Sequence, residues 1–547
     1  MIRFLVVVDT PGIKPFVFGT DALAEVRGAS ALLDRLNRYD TEHVLRHHLG
    51  HGACQTVFAN GGTGQFIVEA PDRAQVQRAV HELAAYYHEQ TGGEVHVLTG
   101  IAEWPASTDY RWAVQAAFEH LHWQRAVGAG RPSLTTLPLV LECQSTSHLP
   151  AVGVYRWGEE QLLLSEASRC KREESRYARR GMLWFGWMES LDPNGRFLDE
   201  ADDLRCATTV EIGEYSSGRR KDYIGLIYAD GNAMGRLVQE LDSPEVCRAF
   251  SELVDGSIRD ACYEALSHVC AQEIDQARKA LESGEQPQPL PADILLLGGD
   301  DLLVLLPADR ALRFALLVTE IFTRRTRERQ GRLPEEVQRF FAARGLTERG
   351  LTISCGVVVG PSSYPFYLLL DLVEELLQSA KRAGSEDPTK TDYWAPSYVD
   401  FHLLAGSVSQ DLATIREEDY FTASDHPRTL RPYRRDQLER LYQAAERLQQ
   451  ARIPQSKLHD LFEAALEPRW LLAQTRVREL FGRLRQDRTR QERRGLWEAL
   501  KLLGPMDLCS FPWLNTGSRP ATPLADLVEA HDLVSEPDEE EAASARG

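Results

Sequence analysis

The chain has 547 residues, with 62 Lys and Arg against 81 Asp and Glu, a formal net charge of −19. Its 43% hydrophobic and 26% charged content excludes a disordered or fibrous chain, and its length fits several domains of about 100–200 residues each. The acidic balance argues against a long nucleic-acid groove built by this chain alone, but not against a local phosphate pocket. No apolar run reaches the roughly 18–20 residues that span a bilayer. The opening MIRFLVVVDTPGIKPF carries too short an apolar stretch for a signal peptide, so a cytoplasmic protein without membrane contact is expected. Cysteines at 54, 143, 170, 206, 247, 262, 270, 355 and 509 are odd in number and form no CxxC pair, which points to reduced thiols.

In chain order, residues 4–8 read as a strand and 21–49 as a helix, with Leu23, Val26, Ala29, Leu32, Leu33 and Leu36 on one face. Residues 54–59 read as a strand, Asn60-Gly61-Gly62-Thr63-Gly64 as a turn, 66–70 as a strand, 73–90 as a helix and 94–98 as a strand. This βαββαβ order is the ferredoxin-like unit. It recurs with a strand at 224–229, helix from Asn232, strand at 294–297, turn Gly298-Gly299-Asp300-Asp301, strand at 302–306, helix at 310–327, strand at 352–359 and helix at 367–382. Each copy has a glycine-rich tip, ANGGTG and LGGDDL, so an internal duplication is inferred. The second copy holds an insert over 273–291.

The fold class expected is therefore α+β: two ferredoxin-like domains, a small linking domain and a C-terminal helical bundle. The boundaries are 1–138, 139–215, 216–397 and 398–534, followed by an acidic disordered tail over 535–547.

The chemistry concentrates in YADGNAMG and LLLGGDDLLVLL. In a βαββαβ sheet the first and second strands run parallel with the third between them. Asp230, at the end of strand one, therefore shares an edge with Asp300 and Asp301 in the turn. Three carboxylates at one edge repel one another unless cations fill the site. Oxygen ligands of this kind suit Mg²⁺, or Mn²⁺, with water and phosphate completing the shell. Two such ions could serve both ends of an in-line phosphoryl displacement. Asp300 and Asp301 cannot both aim at one metal from a regular strand, so either the turn re-aims one or one has another role. Gly298 and Gly299 permit close backbone approach to a triphosphate, the helix near Asn232 would offer N–H groups to phosphate, and Lys381 would neutralise its charge. The first copy has no carboxylate at its tip and leaves Asp9 alone. Gly61, Gly62 and the helix around Arg27 and Ser30 are its candidates for a second nucleotide.

These motifs resemble the second palm domain of the large, polymerase-like subunit of type III CRISPR effector complexes. ISCGVVVG and QSAKRAG fit that family's following strand and helix, while FVFGTDALAEVRGASALLDRL and ANGGTGQF are similar to its first palm. The resemblance implies condensation of ATP into cyclic oligoadenylates for antiviral defence. Asp230 and one or both of Asp300 and Asp301 would hold metal, while Gly231, Asn232, Gly298 and Gly299 line the nucleotide. It also implies guide RNA and other effector subunits as partners.

Three departures are expected: no HD nuclease domain, because the first strand begins at about residue 3; no zinc, because Cys143, His148, Cys170 and Cys206 lack close pairing; and an open product identity. His43, His47, His48 and His51 read as polar residues at a helix end. The arginines at 488, 490, 493 and 494 read as a solvated face with RNA contact as the alternative. Two other functions stand beside the cyclase: a non-catalytic nucleotide-binding scaffold of an RNA-guided complex, and a cyclic dinucleotide synthase of GGDEF type.

Overall fold

The computed structural model describes residues 1–20, 22–50, 52–128, 140–146, 149–157, 160–178, 182–191, 222–404, 411–420, 427–467, 469–483, 490–504, 514–516 and 519–534. The first palm runs β1 (Ile2–Asp9), α1 (Ile13–Phe18), α2 (Leu23–Arg35), a π-helical turn (Leu36–Asp40), α3 (Thr41–Leu49), β2 (Cys54–Asn60), β3 (Thr63–Ala70), α4 (Arg73–Gln90), β4 (Leu98–Glu103) and α5 (Tyr110–Ala126). The linking region supplies a hairpin, β5 (Gly153–Trp157) and β6 (Glu160–Leu164), then α6 (Glu166–Ala178) and α7 (Met182–Leu191).

The second palm comprises β7 (Tyr223–Gly231), α8 (Met234–Gln239), α9 (Pro244–Val269), α10 (Ala271–Glu282), β8 (Asp293–Gly298), β9 (Asp301–Pro307), α11 (Ala311–Gln330), α12 (Glu335–Ala343), β10 (Ile353–Pro361) and α13 (Phe366–Glu386). After it come β11 (Tyr398–Leu403), α14 (Leu412–Tyr420) and β12 (Tyr433–Arg434). The C-terminal region is helical: α15 (Arg435–Gln450), α16 (Gln455–Leu466), α17 (Trp470–Arg483), α18 (Arg490–Leu503), a short hairpin of β13 (Leu514–Thr516) and β14 (Arg519–Ala521), and α19 (Leu524–His531).

The sheets are ordered β2-β3-β1-β4 and β12-β11-β10-β7-β9-β8. Both place the first strand of the copy centrally, antiparallel to its neighbours, as the ferredoxin-like order requires. Each central strand is buried on both faces, which explains its near-continuous apolar run. In β7, Ile227 and Ala229 join the core under α9 and α11, while Ile224, Leu226 and Tyr228 join the core under α13. In β1, Leu5 and Val7 enter the first of these cores and Phe4, Val6 and Val8 the second, so both cores run through both palms.

The duplication survives in details that sequence identity hides. Val7 pairs with Gly100, and Tyr228 pairs with Gly356; each glycine lies under the helix that follows its strand. A Cβ on Gly100 would collide with the Ala117 carbonyl of α5, and one on Gly356 with the Val373 carbonyl of α13. The helix then returns a cation to the end of the central strand at one interval (100 to 125, and 356 to 381): Arg125 pairs with Asp9, and Lys381 with Asp230.

Four expectations are corrected. The fourth strand begins at Leu98 and not at 94, because β1 ends at Asp9 opposite Leu98 and leaves nothing for earlier residues to pair with; Val95 N donates to Thr91 Oγ1 instead. The helix expected from Asn232 begins at Met234. The boundary at 397/398 cuts through the second palm's sheet, since β11 pairs in parallel with β10, and β12 with β11. The region after Asp400 therefore opens on a strand and becomes a helical bundle only from Arg435. His148, Cys206, Arg488 and the tail 535–547 lie outside the described residues.

Gly356→Ala is expected to lower stability by about 1–3 kcal/mol, the cost of overpacking a filled contact, as read from urea denaturation. Gly235, on α8, has open space where a Cβ would stand. Gly235→Ala is expected to be neutral or stabilising by up to about 1 kcal/mol.

Candidate active site

The turn between β8 and β9 is the tightest possible hairpin. Gly298 pairs with Asp301, leaving only Gly299 and Asp300 between the strands. Gly299 takes a positive φ of 65°, as the first central residue of such a turn requires. Asp300 therefore sits in the turn and Asp301 on the first residue of β9.

The topology brings Asp230 to this turn. The β7–β9 ladder closes with Ala229 opposite Leu302, and the chain continues one residue to Asp230. A Cβ on Gly231 would lie 2.5 Å from Asp300 Oδ2, so glycine at 231 admits the carboxylate to the strand end. The carboxyls of Asp300 and Asp301 are both held well above the usual carboxylate range. Burial is the main cause in each, followed by the charge of Asp230; the Lys381 ammonium opposes both. Lys381 Nζ itself pairs with Asp230 Oδ2. Among the described residues, no three His, Cys, Asp or Glu side chains are already drawn up as a finished metal-ligand set.

The first palm's turn lies against this one. Gly61 and Gly62 both have positive φ, and a Cβ on Gly299 would stand 3.8 Å from Gly61 Cα. Between the two tips lies a cavity of about 100 Å³, lined by Phe58, Met234, Val238, Leu241, Phe250 and Val254 and bounded by Asn60, Ser251, Gly299 and Asp300.

Other expected site residues are elsewhere. Arg27 is buried and ion-paired with Asp293 at the start of β8. Gly28 beside it packs on the backbone of Lys171 in α6, and Ser30 is buried on the same helix. At Gly28, α2 is covered by the linking region. Asn232 is also spent on the fold. Its N–H donates to the Thr352 carbonyl (2.9 Å), its amide to Thr352 Oγ1 (3.1 Å), and its Oδ1 accepts from Ser354 (3.0 Å). It braces the end of β7 to the start of β10.

Sequence reasoning missed a brace from the first palm. Arg38, in the π-helical turn, donates to both oxygens of Asp255 on α9, at 2.7 and 3.2 Å. Asp255 Oδ1 accepts the Gly299 N–H at 3.2 Å. Burial would raise the Asp255 carboxyl, but the opposing hydrogen bond and charge of Arg38, with Arg259, leave it below its ordinary value. No local motif marks this brace, because its three residues lie on three separate elements. The π-helical turn is the sole hint, such turns being frequent at functional sites.

The geometry defines a double-palm protein with an acidic hairpin at the palm–palm cleft. Residues 223–389 match the family described as Cas10/Cmr2, second palm domain, so the chain carries a palm of that family. Among solved structures it is similar to a Csm1–Csm4 cassette in complex with cA4 (16% identity, 97% of this chain and 69% of that one, TM-score 0.52). It is also similar to Csm1 of T. onnurineus (16%, 98% and 70%, TM-score 0.55) and to a Csm1–Csm4 cassette in complex with cA3 (15%, 97% and 70%, TM-score 0.52). At these identities the likeness is one of fold. No curated protein matches in sequence. Among the described residues no helix is long and apolar enough to cross a membrane.

Arg38→Ala is expected to raise the hydrogen-exchange rate of the Gly299 amide by about tenfold or more, since a bond to a charged group contributes about 1.5–3 kcal/mol. Because the Asp255 carboxyl is depressed, its contribution is present above the unfolded value of about 3.9. It is lost as pH falls through the lower folded value. Wild type should therefore lose more stability than Asp255→Asn in strong acid.

Proposed function

We infer that the chain is a Mg²⁺- or Mn²⁺-dependent nucleotidyltransferase that condenses ATP into cyclic oligoadenylate-type messengers in CRISPR-linked defence. The observation that carries this reading is the convergence of Asp230, Asp300 and Asp301 on one rim, with Lys381 already drawn to it. The Cas10/Cmr2 palm match supports it, as do fold relatives crystallised with cA3 and cA4.

The donor set fits a hard divalent ion. Burial, and then the charge of Asp230, lift the proton affinity of Asp300, and Mg²⁺ needs only one or two protein carboxylates beside water and phosphate. When bound there, the ion would polarise the α-phosphate and lower the pKa of the attacking hydroxyl. The chain's own residues do the rest. Lys381, released from Asp230, neutralises phosphate charge. Gly299 and Gly61 let backbone approach the nucleotide from both palms. The apolar cavity between Phe58 and Phe250 suits one face of a base. A 3′-hydroxyl oxygen then forms a bond to the α-phosphorus as the bond to pyrophosphate breaks. Other effector subunits and guide RNA are the partners this reading implies; two of the three fold relatives named above were crystallised with Csm4.

A second reading, nucleotide binding without chemistry, is favoured by one observation: Lys381 occupies Asp230. Product chromatography separates the two. Wild type with ATP and Mg²⁺ should give oligoadenylates and pyrophosphate, and Asp300→Ala should fall at least about 100-fold, the scale of losing transition-state charge stabilisation. Identical product profiles from wild type and Asp300→Ala/Asp301→Ala would withdraw the enzymatic reading. GTP in place of ATP tests the cyclic dinucleotide alternative.

A further inference from the structure

Lys14 lies on α1 of the first palm, next to Ile13, whose side chain fills the space over Gly62 in the first palm's turn. From there its ammonium crosses to the second palm. Nζ stands 2.9 Å from Glu374 Oε1 and 5.0 Å over the ring of Tyr228. Tyr228 precedes Asp230 by two residues on β7, so both face α13. The Lys14 side chain remains 51% exposed.

The partner of Lys14 is placed with equal economy. Glu374 and Lys381 lie two turns apart on α13 and so share one face. One gives an acid to Lys14, the other a base to Asp230. Two ion pairs of opposite sense thus lie side by side along the rim, and neither palm's cation is committed to a buried structural role.

We propose that Lys14 is the first palm's ligand for the polyphosphate of a nucleoside triphosphate bound at the Asp230–Asp300 rim, and that Glu374 holds it in reserve until that anion arrives. This rests on the nucleotide reading above and names the residue by which the first palm takes part in it. A half-exposed Lys–Glu pair is weak, whereas phosphate oxygens accept strong charge-assisted hydrogen bonds from an ammonium. The flexible lysine stem lets one charge move between the two. Exchange would leave Glu374 in solvent and draw the first palm toward the ligand.

The test is titration of the full chain with a non-hydrolysable ATP analogue and Mg²⁺, with adenosine as the phosphate-free probe. Lys14→Ala should weaken the analogue about tenfold, the value of about 1.4 kcal/mol, and leave adenosine unchanged. Lys14→Arg, keeping the charge, should recover most of that loss. Glu374→Gln should tighten the analogue about threefold, and this gain should vanish in Lys14→Ala/Glu374→Gln. Analogue affinity within twofold of wild type in Lys14→Ala, or a Glu374→Gln gain that survives removal of Lys14, overturns the proposal. If wild type binds the analogue and Asp230→Ala loses it while the Lys14 variants do not, this inference alone falls. If wild type binds no triphosphate, both fall.

Discussion

The structure turns on the register of β7 between its two antiparallel neighbours. The ladder to β9 ends with Ala229 opposite Leu302, and one further step in that register sets Asp230 across from Asp301. Opposed residues in an antiparallel pair point to the same face, and like charges so placed repel. The fold accepts that cost at a strand end, where the ladder has finished and a third element can intervene. Helix α13, seated close on Gly356, delivers Lys381 to the gap. A one-residue slip would send Asp230 to the opposite face and leave Lys381 facing apolar surface. Acid cluster, compensating cation and cleft all follow from that register.

The first palm uses the same frame for a different end. It keeps the strand-end acid, the glycine under the helix and the returning cation, as Asp9, Gly100 and Arg125. What differs is the tip. Gly61-Gly62 carries no carboxylate where Gly299-Asp300 does, so Asp9 meets only its arginine and no cation is in demand. Freed from holding a charge cluster, the first palm's tip packs directly against the second's. The neighbouring segments then act across the cleft: Arg38 on Asp255 and the Gly299 turn, and Lys14 on Glu374 and Tyr228. A duplicated scaffold with one acidic tip thus becomes an asymmetric cleft.

The strands and the acidic turn were legible because their signals are local. Apolar runs such as IGLIYA and LLVLL mark doubly buried strands, and GGDD between two such runs is a hairpin whichever fold contains it. The βαββαβ order then placed Asp230 beside the turn without further information. The errors came where a residue's role is set by an element far away in sequence. Arg27 looks free on a helix until β8 brings Asp293 to it, and Asn232 looks like a phosphate contact until β10 brings Thr352 and Ser354. Val95 and Val97 alternate as a strand would and are buried, yet β1 has ended before they could pair. Strand β11 was hidden for the same reason, since a strand paired in parallel with β10 needs a partner that only the folded sheet supplies.

Composition adds a last physical point. Of the 62 basic residues only eight are lysines, and two of those eight, Lys14 and Lys381, stand at the cleft. Arginine does the structural pairing elsewhere: Arg38 forks onto Asp255, Arg27 meets Asp293, and Arg431 is buried against Asp526 and Glu529. This division follows the chemistry of the two side chains. A guanidinium fixes a carboxylate in a two-pronged grip that favours permanence, whereas an ammonium is a point charge on a flexible stem that changes partners readily. The proposed transfer of Lys14 and Lys381 from carboxylate to phosphate would call for the second kind. The acidic body of the protein sharpens that need: at a net charge of −19 long-range attraction for anions is absent, so under the proposed function recognition would come from charges released at the site itself.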